Sequence, residues 1–375
     1  MSKTLIIGLG RQGARICQLL IDKGFESISL CDTQSETLHV LKDQHGPKVA
    51  LIEKNLFNIS DEERIVFLKQ FDFIVDALPS FLSFELLTSA ARAGSKVVSI
   101  SFLEEDFMKL DPIAKENGAL IIPDCGAAPG LSHLLAGYAV NKLGGATSVV
   151  MKLGAIPLQP TPPFFHNLTW SVTDFVEEYT RPAKMRRDGK LITVDPFCEI
   201  KQENIEGFDL QSFPTDGVRS FLSSFPNVPN VEERTLRYPG HLDYMKNLKK
   251  SNRLWAKEIE KQFGHLSLED IFIMDIIIKN IHTRPDRQIV HRYIMQFDSE
   301  NSISGLVDSV AITASETLNL IRYGCIKETG VYPLELLATE NVYKAIVGAH
   351  RKLGAVCFEM DFKVVAEVEE TKCGN

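Results

Sequence analysis

The chain has no apolar run long enough to cross a bilayer, and its first apolar stretch, Leu5-Ile6-Ile7, stops at a glycine, too short for a signal-peptide core. These absences predict a cytoplasmic location. Basic residues are not in excess: 41 Lys and Arg face 49 Asp and Glu, a net charge of −8. A general nucleic-acid binder needs a broad basic face and is thereby excluded, while a local basic pocket for a carboxylate is not. The seven cysteines are scattered and include no Cys-x-x-Cys pair, so they read as reduced thiols and not as a disulfide frame or zinc site. Cys125 sits in a turn suspected of a role in the site, where a small core residue is the default reading. None of the nine histidines has a metal-binding spacing to another His, Cys or acid, so no metal is expected. Repeats, low-complexity tracts and a long linker are missing too.

What remains is an ordinary globular composition, 44% hydrophobic and 24% charged, in 375 residues, a length that points to two domains. From residue 4 to about 124, short β-branched runs alternate with amphipathic segments. Strands are predicted over Thr4–Ile7, Ser27–Cys31, Lys48–Ile52, Phe73–Ala77, Lys96–Ile100 and Leu120–Pro123. Thr33 with Glu36, and Ser60 with Glu63, have capping-box spacing, and Gly24, Gly94 and Gly118 stand where helix C-caps belong. This is the pattern of a parallel sheet covered by helices.

Between the first strand and first helix lies Gly8-Leu9-Gly10-Arg11-Gln12-Gly13. Gly8 permits the tight turn, Gly10 lets backbone approach a pyrophosphate, and Gly13 allows close helix–strand packing. The helix beginning near Arg11 aims its free N–H groups at the phosphates. Asp32 closes the second strand, 19 positions after Gly13, where a carboxylate accepts from the adenine-ribose hydroxyls. Its neighbours Thr33, Gln34 and Ser35 include no arginine for a 2′-phosphate, so NAD is expected over NADP. Ala77, Leu78 and Pro79 form the expected second cofactor-facing loop, and Ser101 the loop nearest the nicotinamide. Without a cofactor the glycines would serve only sheet–helix packing.

Beyond Asp124 the style changes. Pro129 suits the first position of a helix over Leu131–Leu143 ended by Gly144-Gly145, followed by a strand over Ser148–Gly154 and the proline-rich 157–163. Asp188-Gly189 and Glu206-Gly207 read as hairpin turns. Ile271–Ile281 and Gln288–Phe297, separated by Arg284-Pro285-Asp286-Arg287, read as antiparallel strands, the first with a buried helix as alternative. The expected fold is α/β: a doubly wound Rossmann sheet over 1–124, completed by C-terminal helices over about 307–375, plus an α+β substrate and dimerisation domain with an open mixed sheet over 125–306. An open sheet offers a homodimer surface.

Several motifs in one order carry a resemblance over nearly the whole chain. They are Gly8–Gly13, residues 123–131 (Pro-Asp-Cys-Gly-Ala-Ala-Pro-Gly-Leu), Thr169-Trp170-Ser171 leading to 177–183, Thr215–Ser220, Thr235–His241 and Gly330-Val331-Tyr332-Pro333. The sequence resembles the saccharopine-dehydrogenase-like reductases, and within them the L-lysine 6-dehydrogenase branch. The resemblance implies a substrate and dimerisation domain in the middle and C-terminal helices returning to the Rossmann unit. It departs at Ala128-Pro129-Gly130, where condensing saccharopine-forming members commonly carry Asp-Pro-Gly. That loss weakens the saccharopine reading and fits the simpler amine-oxidising branch.

If the substrate is L-lysine, hydride leaves the ε-carbon, a base must first deprotonate the ε-ammonium, and the α-carboxylate needs a cation. Arg237 and Arg219 are candidates for the carboxylate, with surface ion pairs as the alternative. His241 is the candidate base by its ordinary pKa, or else caps the helix that Gly240 opens. Asp216 either accepts from the substrate ammonium or caps a short helix at Gly217. Trp170 and Tyr179 can wall the aliphatic stem or simply pack. Asp124 can face the cleft or fix the following turn, and Glu177 and Glu178 read as a solvated helix face. The rival activity is reductive condensation, as in saccharopine or carboxynorspermidine dehydrogenases. In a different class stands a non-catalytic NAD-binding sensor.

Overall fold

The computed structural model describes residues 2–168, 170–253, 255–263, 269–281 and 286–364. Thr169, Arg284, Pro285 and the last eleven residues, 365–375, lie outside them. The first unit alternates β1 (Lys3–Ile7), α1 (Arg11–Asp22), β2 (Ser27–Asp32), α2 (Ser35–His45), β3 (Val49–Glu53), α3 (Asp61–Leu68), β4 (Phe73–Asp76), α4 (Ser80–Ala93), β5 (Lys96–Ser99), α5 (Asp111–Glu116) and β6 (Leu120–Ile122). The strands pair in parallel in the order 3-2-1-4-5-6, the doubly wound arrangement. Side chains alternate as a strand requires: Leu5 and Ile7 enter one core, Ile6 the other. The strand order reverses between β1 and β4, which opens a crevice at the carboxyl ends of the strands.

The rest runs α6 (Leu131–Lys142), β7 (Ser148–Pro157), α7 (Val172–Thr180), β8 (Ala183–Arg187), β9 (Lys190–Val194), β10 (Lys201–Ile205), β11 (Phe208–Pro214), α8 (Phe221–Ser224), β12 (Val231–Arg237), α9 (His241–Lys250), α10 (Ala256–Phe263), β13 (Asp270–Asn280), β14 (Asp286–Gln296), α11 (Gly305–Arg322), β15 (Gly330–Val331), α12 (Glu340–Lys352) and β16 (Val356–Val364). Its sheet is mixed, ordered 10-11-12-7-13-14-16, with the β8–β9 hairpin beside β12. β12 runs parallel to β7, and the other pairs are antiparallel. Both Xaa-Gly hairpins form as expected, with Asp188, Gly189, Glu206 and Gly207 all at positive φ. β13 is a strand along its whole length, so the helical alternative is removed.

The C-terminal part divides between the two sheets instead of returning to the first alone. β15 pairs with β6, while β16 pairs with β14 in the second sheet. Between the sheets run α6 and α11, buried on nearly every side, and the buried hydroxyls of α11 (Ser309, Thr313, Ser315, Thr317) donate to carbonyls of their own helix. One continuous core joins α1, α6, α11 and the inner faces of both sheets. Ion pairs Arg15–Asp308 (2.6 Å) and Lys23–Glu316 fasten α1 to α11. Among the described residues no helix is long and apolar enough to cross a membrane.

Two local expectations are corrected. The Ser60–Glu63 capping box forms, but Thr33 caps nothing: α2 starts at Ser35, because Asp32 already bonds the Gln34 N–H and turns the chain there. Pro129 is not the first helical residue either. It closes a turn in which Gly126 N–H donates to the Pro129 carbonyl, and Gly130 is the N-cap of α6.

The glycine loop is held by contact. A Cβ on Gly13 would fall 1.9 Å from the Gly8 carbonyl oxygen, and Gly8 itself has φ +87° against the Ala77 backbone. A Cβ on Gly10 would meet no heavy atom within 4 Å beyond its chain neighbours. Gly13→Ala is therefore expected to lower stability by about 1–3 kcal/mol through overpacking. Gly10→Ala should cost under about 1 kcal/mol. Denaturant midpoints of the two variants check the contrast, and equal losses would remove the packing argument.

Candidate active site

A cleft of about 990 Å³ follows the carboxyl ends of β1, β2, β4 and β5 and continues beneath β12 and α7. All the positions expected to touch a cofactor line it: Gly8 to Gly13, Asp32, Thr33, Ala77 to Pro79 and Ser101. The N-terminus of α1 has no side-chain cap, so its first N–H groups remain for an anion in the cleft. Asp32 ends β2 and accepts from Leu9 N–H (2.7 Å) and Gln34 N–H (3.0 Å), which locks the glycine loop onto the acid. The second loop is pinned by Asp76. Fully buried, it accepts from the Ser83 and Ser99 hydroxyls (both 2.7 Å) and from Leu78 N–H (3.2 Å). The open space at Gly10 beside an uncapped helix terminus fits a dinucleotide pyrophosphate. Arg11 and Lys54 also line this end, which the stretch 33–35 could not reveal.

The other half of the cleft is built by β12. Period two sends Glu233, Thr235 and Arg237 to one face, and all three line the cleft. Arg237 is not a surface residue, being 1% exposed. Its Nε donates to the Tyr179 hydroxyl (3.0 Å), Nη1 to the Leu236 carbonyl (2.8 Å) and Nη2 to Glu178. A guanidinium has five N–H groups, so two are left to meet a carboxylate in the cleft. Its face lies over Trp170, 5.5 Å from the ring centroid, and Trp170 also lines the cleft.

Behind Arg237 the bonding direction is determined. His241 Nδ1 faces the Phe164 carbonyl (2.6 Å), which can only accept. Nδ1 therefore carries the proton, and Nε2 accepts from the Tyr179 hydroxyl (2.8 Å). Tyr179 and His241 are both fully buried and neither lines the cleft. Burial, reinforced by the Arg237 charge, holds the His241 imidazole down to about 3, and burial raises the Tyr179 phenol. His241 thus neither caps α9 nor meets the cleft; it holds Tyr179, which holds Arg237. Glu177 and Glu178, expected on a solvated face, line the cleft: Glu178 pairs with Arg237 and Glu177 with Arg181.

Asp124, at φ +49°, is 4% exposed and lines the cleft. Its Oδ2 accepts from Arg219 Nε (2.6 Å), while Oδ1 has no hydrogen-bond partner among the described residues. Burial raises its pKa and the Arg219 charge opposes the rise. Arg219 does not itself line the cleft; its guanidinium lies 4.0 Å from the Phe102 centroid and serves Asp124. Asp216 lines the cleft, yet its Oδ1 accepts from Lys184 N–H (3.1 Å), and α8 begins only at Phe221, so the capping reading is corrected.

Glu233 was not anticipated. It is 4% exposed, accepts from the Thr215 hydroxyl on Oε1 (3.1 Å), and leaves Oε2 without a protein partner at the cleft. Burial pushes its carboxyl up to about 7, partly opposed by the charge of His133. The signal was available, since Glu233 stands two and four residues before Thr235 and Arg237 on the same strand face. Ala128 lines the cleft too, with a methyl group only. Among the described residues no group of three or more His, Cys, Asp or Glu could hold a metal ion.

Residues 4–122 match the family described as the saccharopine dehydrogenase NADP binding domain, and residues 126–354 the saccharopine dehydrogenase C-terminal domain. The chain is 22% identical over 258 residues to a saccharopine dehydrogenase (NADP(+), L-glutamate-forming) of Pyricularia oryzae, covering 65% of this chain and 56% of that one. It is 22% identical over 215 residues to an alpha-aminoadipic semialdehyde synthase of Arabidopsis thaliana, covering 53% and 20%. The chain thus spans about half the length of the first of these relatives and a fifth of the second. In fold it is similar to the apo histidine-tagged saccharopine dehydrogenase (L-Glu forming) from Saccharomyces cerevisiae, with a TM-score of 0.81 at 15% identity, over 96% of this chain and 100% of that one.

The raised Glu233 carboxyl has a stability consequence. Its folded pKa of about 7 lies above the ordinary 4.5, so ionising it penalises the fold. The penalty is absent below about pH 4.5 and complete above about pH 7. Glu233→Gln is expected to match the parent in acid and exceed it by up to about 3 kcal/mol at pH 8. Denaturant midpoints at the two pH values measure this; a variant less stable than the parent at pH 8 contradicts it.

Proposed function

The chain belongs to the saccharopine dehydrogenase family, and from that premise we propose that it is an NAD-dependent oxidoreductase acting on the CH–NH2 group of an amino acid, removing the ε-amine of L-lysine by oxidation. The carrying observation is the pair of buried carboxylates, Glu233 and Asp124, each with one unpartnered oxygen at the cleft. An unpartnered buried carboxylate oxygen calls for a proton or a cation, and a diamine acid brings two ammonium groups.

A nicotinamide cofactor bound along the glycine loop supplies the hydride acceptor. Glu233 takes the proton from the ε-ammonium, since the ammonium nitrogen needs its lone pair before the C–H bond can yield a hydride. A carboxyl near 7 is matched to that task at neutral pH. This assigns to Glu233 the base role first expected of His241, and leaves His241 and Tyr179 as supports of Arg237. Arg237 offers its remaining N–H groups to the α-carboxylate, Asp124 faces the α-ammonium, and Trp170 walls the methylene stem. Water then adds to the resulting imine and releases ammonia, leaving the 2-aminoadipate semialdehyde, which closes to the piperideine carboxylate. Ala128 supports the simple oxidation, because no carboxylate stands where condensing members carry one.

The similar saccharopine dehydrogenases support a second reading, in which the enzyme joins an amine to a carbonyl compound reductively. The open mixed sheet, whose strand β16 exposes Phe362, is the surface proposed for a homodimer.

Purified protein with NAD is expected to form NADH with L-lysine from a panel of amino acids and diamines. NADH consumption that requires both an amine and a keto acid or aldehyde would select condensation, and silence in both assays would reject both. Glu233→Gln should lower kcat by about 10²–10⁴-fold. For the cofactor, Asp32→Ala should weaken NAD binding while leaving NADP binding little changed; equal parent affinity for the two overturns the NAD preference.

A further inference from the structure

We propose that His133 and Glu335 are positioning residues: an enclosed imidazolium–carboxylate pair that holds the loop carrying Gly217 and sets the proton affinity of the Glu233 carboxylate. The proposal rests on the reading of Glu233 as the base.

The geometry starts on α6. His133 is 1% exposed and Glu335, in the turn after β15, is 0% exposed. His133 Nε2 lies 3.0 Å from the Gly217 carbonyl, and Nδ1 lies 3.5 Å from Glu335 Oε2. The Gly217 carbonyl can only accept, so Nε2 carries a proton, and a carboxylate oxygen with no hydrogen-bond donor of its own at ion-pair distance from Nδ1 favours a second proton there, which makes the ring an imidazolium. A buried cation requires a buried anion, and Glu335 is placed to supply it. The other Glu335 oxygen accepts from the Ser224 hydroxyl (2.9 Å). Helix and turn approach closely here because residue 137, one turn beyond His133, is glycine. A Cβ there would fall 2.7 Å from the Glu335 carbonyl oxygen.

One peptide separates this pair from Glu233. The Gly217 carbonyl accepts from His133, and a Cβ on Gly217 would fall 1.7 Å from Glu233 Oε1, so the carboxylate rests on that Cα. The charged groups around the pair come from several elements. His133 on α6 faces Glu335, Glu233 on β12 and Asp124 after β6; Glu233 also feels Glu178 on α7 and Asp216, and Asp124 is held by Arg219. Burial is the largest single influence on each, pushing His133 down and Glu335 up. The Glu335 interaction and the charges of Glu233 and Asp124 together raise His133, and the His133 charge with neighbouring hydrogen bonds lowers Glu335. Facing Glu233, the imidazolium opposes the upward push of burial. Without that charge the carboxyl would stay protonated to higher pH, and less of the base would be ionised at neutrality.

His133→Gln removes the charge, and Glu335→Gln lets the ring lose its second proton. Both variants should move the acid limb of the kcat/KM profile for amine oxidation upward by about one pH unit, a tenfold loss at pH below the limb. A merely structural role would lower the profile without moving its limb. Independently, ring resonances of isotope-labelled histidine, with His133 assigned by its absence in His133→Gln, should show an imidazolium at pH 8 in the parent and a neutral ring in Glu335→Gln. This titration needs neither cofactor nor amine, so a failed substrate panel leaves it readable. A neutral His133 in the parent at pH 7, or an acid limb unmoved in both variants, overturns the proposal.

Discussion

Carboxylates enclosed between two sheets are costly unless each meets a cation or keeps its proton, and the substrate half of the cleft is organised around that constraint. Glu178 meets Arg237, Asp124 meets Arg219, and Glu335 meets His133. Breaking such a buried pair leaves an uncompensated charge worth about 3–5 kcal/mol, so these pairs fix the elements that carry them. Glu233 is treated differently: it has a hydroxyl donor and a distant imidazolium but no salt-bridge partner. Burial therefore carries its carboxyl up to about 7, where the proton is exchanged near neutrality.

β12 turns this into a working surface. Its alternation sets Glu233, Thr235 and Arg237 side by side, while Glu232, Arg234 and Leu236 face away. Arg234 spends its donors on Ser212 and the Glu199 carbonyl, anchoring the strand from behind. Arg237 is anchored through Tyr179 to His241 and the Phe164 carbonyl, with every donor and acceptor in that chain determined. A guanidinium held this way loses little freedom on meeting a carboxylate, which is the advantage of its planar fork over an ammonium.

The first unit was legible almost to the residue because its signals are local: alternation, glycine spacing and strand-end acids. Asp32 and the loops at Ala77 and Ser101 follow from strand order alone. The misread details are competitions between neighbours. Thr33 lost the cap because Asp32 captured the Gln34 N–H, and Pro129 left the helix because Gly126 and Gly130 close a turn around it. The second half resisted for a physical reason. Motifs marked the right segments, but which side chain faces the cleft depends on strand register and on contacts between distant residues. Asp124 and Arg219 are 95 positions apart, Tyr179 and His241 62. His241 is a candidate by its ordinary pKa, the property that enclosure abolishes, and Glu233 reaches the neutral range only through burial, which no local sequence pattern reveals.

Cofactor choice shows how far a single strand-end acid can be made to argue. The matched family is described by an NADP-binding domain, and Arg11 and Lys54 place positive charge along the same end of the cleft. Asp32 carries the opposite sign and already has two backbone donors, Leu9 N–H and Gln34 N–H. Those donors fix it in place, and a fixed carboxylate repels a dianionic 2′-phosphate but accepts a hydrogen bond from a 2′-hydroxyl. Long flexible side chains such as Arg11 and Lys54 can attract either dinucleotide through its phosphates, which argues for affinity and not for a choice between them. The proposed preference for NAD therefore rests on the residue that cannot move away, the carboxylate at the end of β2.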